Sequence, residues 1–323
     1  MKNLGRSLVL ILVLAAFTIM AWGSGSNSPN EVKTPSSVIS AEPGAGSKSS
    51  ESTSAPVSTA SAASTSTPDK TPAPAKATIE EAVLFEQDGI RITAKSLNYS
   101  GLFGPEVKLL IENNSSQSIT VQTRNASVNG YMIETMMSAD VAAGKKANDS
   151  ITLMKSDLDA ADIKTVADIE FRFHIFDSSS WDTLYDSDVI RIETSEADGY
   201  AYTFDDSGDS VYTGNGVEIV VKGLAEDSSI FGPSIVVYIS NTSNKDITVQ
   251  VRDVSVNGFM IDTMFSCDVL VGKHAIDTIT FMSSDLEENE IESIENIELS
   301  FHVFNSDSWD TIMDTTPVTI NFD

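Results

Sequence analysis

The chain has 323 residues, with 47 Asp/Glu against 20 Lys/Arg, a formal charge of −27 at pH 7, and one cysteine. All of the acidic excess lies after residue 76, where 43 Asp/Glu stand against 14 Lys/Arg. Such a surface repels nucleic-acid phosphates and anionic headgroups, which excludes DNA or RNA binding and favours basic partners or divalent cations. A single cysteine excludes an intrachain disulfide and a Cys-based zinc site, so packed cores must supply the stability.

Lys2 and Arg6 precede the apolar run "LVLILVLAAFTIMAW", and "GSGSNS" follows it. A basic start, an apolar stretch and small residues have the order of an export signal. The segment resembles that of a bacterial lipoprotein precursor: Ile19, Met20 and Ala21 stand in the lipidation box, but Trp22 stands where that family carries its lipidated cysteine. Trp has no thiol, so no thioether forms there. The open alternatives are cleavage after Ala21 or Gly23, or retention of the run as an anchor. Residues 1–23 are thus expected to be a signal peptide or anchor. They put the protein outside the cytoplasm, at the surface of a Gram-positive bacterium or secreted, with membrane contact only through this segment. Residues 24–77 are rich in Ser, Thr, Ala and Pro with few large apolar side chains, the composition of a disordered stalk.

The remainder is a duplication. Residues 103–192 align without a gap onto residues 231–320, and about half of the positions are identical. "SVNGYMIETM" (127–136) returns as "SVNGFMIDTM" (255–264). The copies bound module 1 at 78–195 and module 2 at 211–323, with "EADGYAYTFDDSGDS" read as a linker covering 196–210. "EVKLLIEN" and "SIVVYISN" alternate, with Val107/Ile235, Leu109/Val237 and Ile111/Ile239 on one face; Phe171/Leu299, Phe173/Phe301 and Ile175/Val303 do the same further on. Period-two alternation predicts strands with one buried face. Ile119 and Val121 point inward, Ala126 and Val128 take over with opposite parity, and a bulge near Arg124 accounts for the flip. Asn129-Gly130 and Asn257-Gly258 suit tight hairpins. "SDLDAADIKTVADI" and "SDLEENEIESIENI" read as helical, with Ser156 and Ser284 as N-caps. Seven or eight short strands per copy predict an all-β chain of two tandem antiparallel β-sandwiches.

"NNSSQSITVQ…SVNG…GKK…SDL" and "FHIFDSSSWDT", with their second copies, resemble the immunoglobulin-like domains of Gram-positive surface lipoproteins, a family of unknown function. That resemblance implies a scaffolding or binding role outside the cell and carries over no catalytic residue.

Each copy holds a His–Phe–Trp set, His174, Phe176 and Trp181, then His302, Phe304 and Trp309. It is a candidate binding face, because exposed aromatics anchor partners; the competing reading is a second packed face with a locally satisfied histidine. His274, opposite Lys146, reads as an exposed turn residue, and Cys267, opposite Ala139, as a small buried one. Asp205, Asp206 and Asp209 in "DDSGDS" offer hard oxygens for calcium, although no EF-hand spacing is present. The acidic pairs Asp157/Asp182 and Asp285/Asp310 recur, yet no nucleophile–base–orienter set assembles from shared positions. The expectation is a non-enzymatic surface binding or adhesion protein with a protein or cell-envelope partner. A spacer rigidified by calcium is the alternative, and a cell-wall hydrolase a remote one.

Overall fold

The computed structural model describes residues 32–40 and 76–322. The expected signal or anchor, 1–23, lies outside the described residues, as does most of 24–77. A short strand, β1 (Ser37–Ser40), comes first. The first copy then builds β2 (Ala82–Gln87), β3 (Ile90–Asn98), β4 (Glu106–Asn113), β5 (Ile119–Val128), β6 (Tyr131–Met132), β7 (Thr135–Met136), β8 (Ser138–Val141), β9 (Lys145–Leu153), α1 (Lys155–Ala160), β10 (Asp168–Asp177), β11 (Thr183–Asp186) and β12 (Ile190–Glu193). The second copy repeats the series as β13 (Asp209–Gly214), β14 (Val217–Ser229), β15 (Gly232–Asn241), β16 (Ile247–Val256), β17 (Phe259–Met260), β18 (Thr263–Met264), β19 (Ser266–Val269), β20 (His274–Phe281), α2 (Ser283–Glu288), β21 (Asn296–Asn305), β22 (Thr311–Asp314) and β23 (Val318–Asn321).

In the first copy one sheet runs β2-β3-β4-β9-β7, and the facing strands run β11-β10-β5-β6 with β12 on β10 and β8 on β5. The second copy has β13-β14-β15-β20 opposite β23-β21-β16-β17. These ladders are antiparallel. One parallel bridge, Tyr131 to His274, joins β6 to β20 and so links the copies. The all-β antiparallel class expected from the sequence is the class of the chain.

Alternation builds both cores. Val107, Leu109 and Ile111 are buried, as are Ile235, Val237 and Ile239, and the Phe-rich strands bury Phe171, Phe173, Leu299 and Phe301 completely. Each such side chain contributes roughly 1.5–3 kcal/mol relative to exposure. Two separate apolar clusters result, one per copy, though Val220 and Tyr238 of the second copy pack into the first cluster. The parity flip in β5 is a bulge: the β5–β10 register shifts opposite Arg124, and Asn125 takes φ 55°. Asn129 and Gly130, at φ 51° and 84°, turn β5 into β6 as a two-residue hairpin, and Asn257 and Gly258 repeat it. This is why the decapeptide occurs twice.

Three expectations need correction. The helices are six residues long, not fourteen. Asp162 (φ 52°) and Glu290 (φ 55°) end them in the left-handed region, with Ile163 N–H donating to Leu158 O and Ile291 N–H to Leu286 O, so the chain reverses after barely two turns. Ser156 and Ser284 are not N-caps: Met154 and Met282 hold those positions, and each serine hydroxyl donates to the following aspartate. Thirdly, residues 32–40 fall inside the stretch expected to be disordered, and they are ordered. Ser37–Ser40 lies antiparallel on β23, and Val38 packs on the second core. The unpaired backbone of a sheet edge captures the β-branched pair Val38-Ile39.

Candidate binding face

On β10 the residues between the buried phenylalanines face outward, yet His174 and Phe176 are buried while Trp181 is 74 % exposed. The three rings form one ladder. His174 and Phe176 lie 5.3 Å apart centroid to centroid, and Trp181 stacks on Phe176 at 5.5 Å with 18° between planes. The second copy repeats this: His302–Phe304 at 5.2 Å, Phe304–Trp309 at 5.4 Å and 15°, with Trp309 72 % exposed. Each copy brings its own three residues into contact, as two separate ladders. Within each ladder the histidine and phenylalanine follow the packed-face reading, and only the tryptophan meets solvent.

Local chemistry sets this geometry. His174 Nδ1 lies 2.6 Å from Asp186 Oδ1 across the β10–β11 pair, and His302 pairs with Asp314 at the same distance. Trp181 and Trp309 adopt φ 65° and 64°, a left-handed conformation that costs a bulky residue roughly 1–2 kcal/mol. The turn imposes it. Asp177 Oδ1 accepts from Ser179 N–H and Ser180 N–H, and Asp177 O accepts from Trp181 N–H at 2.9 Å. Those serine amides hold the Asp177 carboxyl below its ordinary pKa. In the second copy Asn305 plays the same part toward Asp307 and Ser308. Stacking on phenylalanine, about 0.5–1.5 kcal/mol beyond area burial, offsets the strain. The outcome is a strained, repeated turn that holds an indole with one face supported and the other in solvent.

A second constellation escaped the sequence reading. The linker is the packed joint between the copies rather than a loose tether. Tyr202 hydroxyl donates to Asp168 Oδ2 (2.7 Å), Tyr200 hydroxyl accepts from Asn129 Nδ2 (2.9 Å), and Phe204 stacks on His274 at 3.6 Å. Lys273 Nζ donates to Glu170 Oε2 at 2.6 Å across the joint. His274 is therefore not an exposed turn residue. It begins β20, its Nδ1 lies 2.6 Å from Tyr238 Oη, and burial lowers its pKa to about 4, with the Lys273 charge adding to the effect. Burial also pushes Tyr238 up to about 12. The period-two spacing of Tyr200, Tyr202 and Phe204 was the available signal. Asn129, Tyr131, Tyr200, Phe204 and Asp205 line a shallow cleft of about 200 Å³ here.

The acidic candidates enter separate settings. Asp205 Oδ2 accepts from Lys222 Nζ at 2.8 Å, and that ammonium also meets the Asp205 and Ser207 carbonyls, so the loop converges on a lysine that holds the Asp205 carboxyl down at about 2. Asp206 is exposed, and Asp209 opens β13. Among the described residues no three His, Cys, Asp or Glu side chains group as metal ligands. Asp157 and Asp285 accept from Glu134 N–H and Asp262 N–H, a clasp between helix and hairpin made once in each copy. Cys267 is buried opposite Val249. No protein-family model matches the chain, and no curated protein matches it.

Proposed function

We propose that the chain is an exported, cell-surface-associated, non-enzymatic binding protein whose two immunoglobulin-like modules each offer a buttressed tryptophan to a protein or cell-envelope partner. One observation carries this reading: a strained backbone holds Trp181 and Trp309 on a phenylalanine in both copies, with their outer faces in solvent. Core packing does not require an exposed indole, whereas interface anchors are enriched in tryptophan. Residual strain of this kind clusters at ligand clamps. The basic start and apolar run of residues 1–23 support export.

The test is a folded Trp181→Ala/Trp309→Ala double variant, assayed for binding to cells and envelope fractions. Anchors of this type carry about 2 kcal/mol or more each, so binding is expected to fall at least about 30-fold per ladder engaged. Unchanged binding by the folded variant sinks the assignment. A second reading, a structural spacer, draws on the joint, where the Phe204–His274 stack and the Lys273–Glu170 pair hold the copies in register. It predicts no partner that depends on the tryptophans.

A further inference from the structure

The two copies close the same sheet edge in different ways. In module 1 the residues just before β2 do it. Ser195 N–H donates to Thr78 O and Thr78 N–H to Ser195 Oγ beyond the end of β12, Ala77 is buried, and Ile79 packs on the first core. The matching residues before β13 are engaged elsewhere, because Tyr200, Tyr202 and Phe204 are committed to the joint. Module 2 therefore lacks a contiguous closing segment, and residues 32–40 supply it from far upstream. Lys33 and Leu224 exchange both backbone hydrogen bonds (2.7 and 2.8 Å), Ser36 N–H donates to Asn321 O, and Ser37–Ser40 pairs with β23. Asn321 Nδ2 donates to Ser37 Oγ at 2.9 Å.

The acceptor edge is shaped for this strand. Gly223, at φ 152°, lies where a Cβ would sit 2.6 Å from Lys33 O and 2.5 Å from Val32 Cγ1. Module 1 has Ser96 at the matching position, and among the described residues no strand from upstream of module 1 pairs there. A glycine in one copy and a side chain in the other mark the closest approach of the strand's backbone.

We propose that residues 32–40 are an exchangeable donor strand, and that the β14/β23 edge of module 2 accepts the same strand from a second copy of the chain. Thirty-seven residues, 41–77, lie between the donor and module 1. At about 3.3–3.6 Å per residue their contour exceeds roughly 100 Å, enough to reach a neighbour's edge as well as the chain's own. The ladder is identical in the two cases, so exchange is governed by local concentration. It competes with self-closure as neighbouring chains approach the effective concentration of the tethered strand, on the order of 1 mM, a density that a protein tethered to a surface can reach. Donor at one end and acceptor at the other make the contact heterologous, so copies link in series.

In a Cys267→Ala background, one full-length chain carries Ile39→Cys and a second carries Thr319→Cys, positions that pair directly across β1 and β23. The two are refolded together and oxidised mildly. A covalent heterodimer is expected, rising from a trace at about 1 μM to a yield comparable with self-closure near about 1 mM. Adding Gly223→Ala to the acceptor chain is expected to abolish it. A single chain bearing both cysteines reports self-closure. If that chain closes internally while the mixture gives no heterodimer at any concentration, the strand serves its own chain alone and exchange is refuted. Separately, a labelled peptide of residues 32–40 is titrated into a folded chain that lacks them. Saturable binding that Gly223→Ala eliminates supports the acceptor site, and no binding overturns it.

Discussion

His274 and Asp277 lie three residues apart on β20 with opposed proton preferences, and changing pH separates them. Burial, with the Lys273 charge second, lowers His274 to about 4, whereas an unfolded histidine titrates near about 6.5. The fold thus favours the neutral ring. Its contribution is complete above the unfolded value and is lost as pH falls toward the folded one. Between about pH 7.5 and about pH 5 that loss comes to about 2 kcal/mol. Burial raises Asp277 to about 6, with the charge of Asp157 adding to it, and hydrogen bonds from Thr278 N–H and the Cys267 thiol opposing it. Its unfolded value is near about 3.9, so the fold favours the protonated acid; that contribution is complete below the unfolded value and is lost as pH rises through the folded one. Over the same acidification it returns about 1.4 kcal/mol. The two nearly offset in the native chain. His274→Phe should therefore gain about 2 kcal/mol relative to the native chain on acidification, and Asp277→Asn should lose about 1.4 kcal/mol. Guanidinium unfolding at three pH values across this range, with m-values compared, reads the differences directly. If both variants run parallel to the native chain at every pH, burial on β20 does not set these proton affinities and the assignment fails.

Further outcomes follow from four single residues. Asn129→Ala removes acceptors for Ala167 N–H and Asp168 N–H and donors to Thr165 O and Tyr200, so chemical denaturation should show a loss of about 2–4 kcal/mol. Asn257→Ala, at the less buried site that has no tyrosine partner, should cost about half as much. Ser127 Oγ is buried with no hydrogen-bond partner among the described residues, so Ser127→Ala should raise stability by about 1 kcal/mol in the same assay. Cys267→Ala should cost no more than about 1 kcal/mol, since Ala139 fills the matching place. Burial pushes the Cys267 thiol well up, so a thiol reagent should label the native chain only after denaturant is added.

Much of the fold was legible because its signals are local. Val107, Leu109 and Ile111 alternate within one strand, and the pleat turns that alternation into a buried face without reference to the rest of the chain. Asn129-Gly130 specifies its hairpin through the φ angles of two residues. The change of parity between Val121 and Ala126 pointed to a bulge near Arg124, and the structure puts the positive φ at the next residue, Asn125; a residue inserted on one strand reverses every side chain beyond it. The helices were overextended because Asp162 and Glu290, which stop them, are acidic residues in a conformation more usual for glycine or asparagine. The candidate ladders were found by comparing the copies, but which rings would be covered was not.

The amino-acid order by itself determined that this chain is a duplicated, sheet-built protein, which faces each strand buries and where it turns, since these depend on neighbours one to four residues away. Tertiary structure alone decided that Phe204 would stack on His274, that Trp181 would be forced outward on Phe176, and that residues 32–40 would close an edge beside Asn321. Such contacts depend on which backbone groups are left unpaired and which apolar faces are left open once the sheets have formed, and that complementarity belongs to surfaces far apart along the chain.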